Sequence, residues 1–284
     1  MFLPALAFYI IFSYIPMYGA IIAFQNFAPG RGITGSDWVG FRHFIDFFND
    51  MFFWRLIRNT FLLNFYDIIF GFPAPILLAI LLHELRGRKF KATIQTSLYM
   101  PHFISLVVIC GIIVDFVATE GVINDILGAF GFEPRNLLLD RYLFRTIFVS
   151  TNIWQFAGWT SIVYLAALSG INQELYEAAY VDGCGRFKRI LNITLPGLAP
   201  IITIMLILRL GNIMTVGFEK IILLYNPLTY ETADVISSYV FRRGLLEMNF
   251  SFATAAGLFN SVINFGFLIF ANWLSRRASE NSLW

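Results

Sequence analysis

Six stretches of this chain stay apolar for about the 20 residues that a helix needs to cross a hydrocarbon core of about 30 Å. They cover residues 2–24, 59–82, 97–117, 144–168, 199–218 and 252–274, and the segments between them gather the charges and most of the glycines. The pattern predicts an all-α integral membrane protein of six transmembrane helices, one domain over residues 1–284. Pro16, Pro73 and Pro75 fall inside the runs. A membrane tolerates them where neighbouring helices satisfy the freed carbonyls, so they predict kinked spans. The first run is too long for a signal-peptide core and lacks a small-residue cleavage site, which reads as a retained helix.

Composition narrows the class further. Hydrophobic residues make up 58% of the 284 and charged ones only 13%, outside the range of soluble domains. A net charge of +2 offers no basic surface for nucleic acid. Cys110 sits in an apolar run and Cys184 in a polar loop, which gives no disulfide framework. His43, His83 and His102 are far apart, and neither metal-ligand spacing nor a nucleophile constellation is present, so no catalytic or metal site is expected.

Lys and Arg are nearly even in number on the two sides, so orientation rests on loop length. Arg86, Arg88, Lys89 and Lys91 share one short loop, Arg186, Lys188 and Arg189 a second, and Arg276 and Arg277 abut the last span. The positive-inside rule weights short loops near helix ends, which puts these segments and both termini in the cytoplasm.

One of those loops, residues 170–198, lies within GINQELYEAAYVDGCGRFKRILNITLPGLAP. Leu175, Ala178 and Ala179 fall at helical spacing, Gly183 and Gly185 permit a turn, and Phe187, Ile190 and Leu191 restart an apolar face. Pro196 and Pro200 suit the opening of the next span. Spacing alone fits an ordinary amphipathic connector equally well.

Residue by residue, however, the loop resembles the "EAA" coupling loop of permeases from binding-protein-dependent ABC importers. Glu177, Ala178 and Ala179, then Asp182 and Gly183, then Ile193, Leu195 and Pro196 match that motif in order and spacing. The stretches FSYIPMYGAIIAF, WVGFRHF, FGFPAPILLAILLHELR, YMPHFISLVV, GWTSIVYLAALSGI, LLYNPLTYETADVISSYV and FSFATAAGLFNSVINF are similar to the complex-oligosaccharide branch of carbohydrate permeases, related to the maltose-type transporters. One departure is that such permeases usually carry a short basic tail before the first span, which here starts almost at Met1.

The resemblance implies a type I ABC importer permease fold in a bacterial cytoplasmic membrane, translocating oligosaccharides by alternating access. It implies a heterodimer with a second, homologous permease chain, two ATPase subunits and an extracytoplasmic lipid-anchored solute-binding protein. The chain has no Gly-x-x-x-x-Gly-Lys-Ser/Thr loop. It is therefore expected not to be an enzyme and to bind no cofactor, with ATP and Mg carried by the ATPase subunits. Glu177 to Gly183 would form the helix that docks on them.

In related sugar permeases the ligand meets the spans on either side of this loop. Matching positions here are Gln155, Phe156 and Trp159 before it and Asn212, Ile213 and Val216 after it. Rings stack on sugars and amides bind hydroxyls, although the same residues also serve as ordinary membrane-helix packing and bridging groups. Ionisable groups at membrane depth are costly. Arg209, Asp67 and Asp115 are such groups; Asp115 is placed to reach water, and Arg209 calls for a cavity, an interhelical carboxylate or an acidic sugar. Trp38, Phe41 and Tyr225 are candidates for contact with the binding protein. Two other classes stay open on sequence alone: an ATP-independent carrier or channel, and a membrane-embedded glycan or lipid transferase.

Overall fold

The computed structural model describes residues 2–85 and 87–278. Arg86, counted among the loop cations, lies outside them, as do Met1 and residues 279–284, the chain ends assigned to the cytoplasm. Twelve helices carry the argument: α1 (Phe2–Phe24), α2 (Arg42–Phe48), α3 (Phe53–Glu84), α4 (Arg88–Phe103), α5 (Leu106–Val117), α6 (Val122–Ala129), α7 (Phe144–Ser169), α8 (Gln173–Val181), α9 (Arg186–Leu210), α10 (Phe218–Leu224), α11 (Ile236–Phe241) and α12 (Phe250–Ala278). Strands β1 (Gln25–Asn26) and β2 (Asp37–Trp38) form a short antiparallel pair beyond α1.

Among the described residues, five segments are long and apolar enough to cross a membrane: α1, α3, α5 with α6, α9 and α12. The sixth expected span, α7, has the length at 26 residues but is less apolar. Its position explains this. It packs against both halves of α3, against α4 and against α9, so its neighbours are protein and it can bury Thr151, Gln155 and Ser161. At Gly158 an added Cβ would run into the backbone of Leu98, and glycine is what lets α7 lie that close to α4. The opposite extreme is α1, whose most apolar window buries none of its residues in the chain.

Two of the apolar runs do not coincide with single helices. The run 97–117 straddles a break, because α4 stops at Phe103 just after Pro101, and Ser105 caps α5 by accepting from Val108 N at 3.4 Å. Apolar residues on both sides hide such a cap. The run 199–218 is displaced: α9 already begins at Arg186, ends at Leu210, and residues 211–217 are not helical. Pro196 therefore lies inside a continuous helix rather than at its opening.

The expected kinks take a definite form. π-turns occupy Ile10–Tyr14, Asp67–Gly71 and Ile190–Thr194, each ending two residues before a proline, Pro16, Pro73 or Pro196. A proline cannot donate to the carbonyl four residues back, and its ring presses on that group. That carbonyl, on Phe12, Ile69 or Asn192, sits at the centre of each π-turn, where the wider ring of Ile15 N→Ile10 O, Phe72 N→Asp67 O or Leu195 N→Ile190 O relieves the clash.

Away from loop 170–198, one end of the bundle is pinned by Asp234, which is fully buried. Arg242 binds its carboxylate at 2.6 and 2.9 Å and Arg55 at 3.2 Å, while Ser238 donates at 2.7 Å. Burial alone would lower the Arg242 pKa, but hydrogen bonding and charge attraction from Asp234 raise it overall.

Candidate functional site

α8 is a short, largely exposed helix with well-made ends. Asn172 Oδ1 accepts from Glu174 N at 3.0 Å, and the acid of Glu174 faces the positive helix start. At the other end Cys184 N bonds Ala179 O at 2.9 Å and Gly183 N bonds Tyr180 O at 3.1 Å, the paired bonds of a Schellman turn. That turn needs a left-handed residue, and Gly183 supplies φ +73°.

None of the α8 side chains is buried. Leu175, Tyr180 and Val181 are exposed, the last at 84%, and Phe187 on the following turn is exposed too. Glu177, Ala178, Asp182 and Gly183 share this open surface, and Ala179 is half-buried. Two contacts tie α8 and the residues just before it to the start of α9: Tyr176 Oη meets Thr194 Oγ1 at 3.0 Å, and Gly197 leaves room for Ile171, whose Cδ1 an added Cβ would approach to 2.5 Å. Ile193 and Leu195 are half-buried and Pro196 is exposed. Loop 170–198 is thus one short exposed helix followed by the first half of α9, without a second separate helix.

At the far end of α9 lies a cavity of about 660 Å³ between the π-turn of α3, the middle of α7, and residues 205–220. Its polar groups are chained. Arg209 is ion-paired with Asp67. Asn152 donates to Asp67 Oδ1 at 3.5 Å and accepts from Lys220 Nζ at 2.6 Å, and Lys220 also reaches Gln155 Oε1 at 3.5 Å. Asp67 has room for this because Gly71, one turn on, has no side chain; a Cβ there would come within 2.8 Å of Oδ1.

Phe156, Arg209, Asn212 and Val216 line the cavity. Gln155 is buried beside it. Trp159 turns elsewhere and stacks on His102, with ring centroids 4.5 Å apart. Ile213 is buried in an aromatic core with Phe47 and Phe252. Counting helically past Leu210 misdirects that position, since the helix has ended. Asp115 is exposed in the last turn of α5. Trp38 and Phe41 are exposed beside Phe24, whereas Tyr225 is drawn inward, accepting from Arg242 at 3.2 Å.

Lys220 and Asn152 are the residues that sequence reasoning missed. Lys220 lies just past the apolar run 199–218, where no helix was expected, yet it is buried on α10. The available signal was its setting, a lone cation in FEKIILL.

A short exposed helix, followed by one long helix that runs to a polar cavity among apolar helices, fits the build of a membrane transport permease. The chain belongs to the family described as binding-protein-dependent transport system inner membrane component, which matches residues 52–280. It is 41% identical over 282 residues to Protein LplB of Bacillus subtilis (strain 168), covering 99% of this chain and 89% of that one. It is 39% identical over 285 residues to the polygalacturonan/rhamnogalacturonan transport system permease protein YteP of the same organism, covering 100% and 89%. Among solved structures, a chain of a bacterial ABC transporter involved in the import of the acidic polysaccharide alginate superposes with a TM-score of 0.89 at 46% identity, covering 97% of this chain and 93% of that one. A second, from the alginate transporter in complex with an alginate pentasaccharide-bound periplasmic protein, gives 0.91 at 44% identity, covering 100% and 95%.

Proposed function

We propose that this chain is the translocating subunit of an ATP-driven oligosaccharide importer and that α8 is the joint through which a separate ATPase moves it. The observation that carries this reading is the build of α8, a capped helix exposing Leu175, Tyr180 and Val181 with no core behind them, fixed to the start of α9. At 25 residues α9 is about 38 Å long, enough to reach from a docking surface across the membrane to the cavity. Closure of two ATPase subunits on ATP and Mg would shift α8 as a rigid body, and α9 would carry that shift to Arg209 and Asn212 at the cavity wall.

In this arrangement α8 and both chain ends face the cytoplasm. A second, homologous permease completes the pathway, and a lipid-anchored binding protein delivers cargo to the outer face, where Trp38 and Phe41 are exposed. Phe156 offers a ring face, and Asn152 and Asn212 offer amides, to a sugar in transit, with Gln155 buried behind them. The names of the relatives, a polygalacturonan/rhamnogalacturonan permease and the alginate importer, support an oligosaccharide cargo.

The test is Gly183→Asp in the reconstituted importer. A Cβ at Gly183 meets nothing within 4 Å, so damage is confined to the turn. There the left-handed backbone costs a non-glycine residue about 1–2 kcal/mol, and a new carboxylate opposes the helix C-terminus. Insertion and assembly are expected to persist while cargo-stimulated hydrolysis and uptake come apart. Uptake and stimulated hydrolysis both at wild-type level would refute the assignment of α8.

A further inference from the structure

One charged group facing the cavity lacks a counter-charge. Lys220 is 4% exposed, and its ammonium meets only the neutral oxygens of Asn152 at 2.6 Å and Gln155 at 3.5 Å, over the ring of Phe148. Among the described residues it forms no ion pair. The other cation on this wall, Arg209, is already neutralised by Asp67. Glu219 also lines the cavity but is exposed and unpaired among the described residues. Adjacent residues on a helix point about 100° apart, which keeps its carboxylate off the Lys220 ammonium.

An ammonium has three donors and no acceptor, and two of the donors are taken here by amides. Held out of water against neutral partners alone, it is an incomplete site that an anion would complete. Asn152 fixes its place by accepting from Nζ while its own amide is drawn toward Asp67. The surrounding wall suits a sugar, with the ring of Phe156, the hydroxyl of Thr160 and the amide of Asn212, in a volume within the range of small-molecule sites.

We propose that Lys220 receives the carboxylate of an acidic sugar unit as it passes through the cavity, making it a specificity-determining residue for uronate-containing oligosaccharides over neutral ones. This rests on the importer reading and deepens it. A neutral sugar can use the amides and the ring but leaves the ammonium without its anion. Arg209, held by Asp67, acts on the same cargo through the part of its guanidinium that stays open to the cavity.

The experiment uses the complete importer with its binding protein in proteoliposomes. ATP hydrolysis and uptake are measured with oligogalacturonate and oligomannuronate pentasaccharides and with the same sugars after carboxyl reduction. The readout is the acidic-to-neutral ratio within each permease variant. That ratio cancels any loss of folded complex and any preference of the shared binding protein. Lys220→Gln should lower the ratio about tenfold, the worth of one charge-assisted hydrogen bond, and Lys220→Arg should keep most of it. Glu219→Gln should leave the ratio unchanged or raise it. An unchanged ratio in Lys220→Gln, or a wild type stimulated by the reduced sugars alone, overturns the role of Lys220 and leaves the importer reading standing. A wild-type assembly that hydrolyses ATP and responds to none of the sugars overturns both.

Discussion

At its first end α9 emerges from a helix in which no side chain is buried, held by a hydroxyl pair and one close glycine contact. At its last it carries Arg209, paired across the cavity with an aspartate that is 5% exposed. One helix thus joins an open surface to a polar cluster whose partners are nearly all internal. The difference separates two jobs. A surface meant for another chain, as proposed for α8, must stay open until that chain covers it, whereas charged groups at membrane depth are costly unless polar or charged neighbours hold them.

The sharpest way to break this comparison is Asp67→Asn, which leaves Arg209 without its counter-charge. Removing one partner of a buried pair costs roughly 3–5 kcal/mol. Arg209's side chain is 46% exposed, so solvent screens part of that and a loss of about 2 kcal/mol is expected. Thermal unfolding of the purified complex measures it, and Asp67→Asn with Arg209→Gln should recover most of the loss. If the double variant is no better than the single one, the pair is not what holds the cavity end.

Gly183→Asp probes the other end, and its stability cost should be smaller, about 1–2 kcal/mol from the turn alone, with coupling as the larger casualty. A drop in melting temperature matching that of Asp67→Asn would show α8 to be structurally integrated rather than poised. Smallest of all is Tyr176→Phe, which removes the hydroxyl facing Thr194 and should cost about 1 kcal/mol. Uptake should fall more than stability does, because the lost bond lies between the docking helix and its lever.

How far the sequence reached follows the same division. The shape of α8 was legible because local chemistry made it: Gly183 as the residue that permits the turn, and apolar positions at helical spacing, although the Asn172 cap went unread. The cavity was legible only in part. Arg209 announced its need for a partner, and Asp67 met it, since a lone charge in an apolar run has few alternatives. Lys220 was lost because the end of α9 at Leu210 is written in no strong signal; Gly211 and Asn212 break the helix while the apolar pattern runs on to Phe218. Ile213 went astray for the same reason. For the break at Ser105 the cap was visible, but only once a break was sought within an unbroken apolar run.

The π-turns before the prolines bear on how such a protein can change length. Each places one residue more inside its hydrogen-bonded ring than an α-turn would, and a helix advances about 100° per residue, so each shifts the angular phase of all that follows. Asp67 opens one of these turns and Arg209 lies beyond another, and their meeting depends on both settings. Removing one residue from 190–194 would convert that turn to ordinary helix and leave α8 and Arg209 facing as they do now. The same deletion a turn later, at 200–204, would swing Arg209 away from its aspartate. Single-residue insertions and deletions in this chain therefore have preferred addresses, and the prolines mark them.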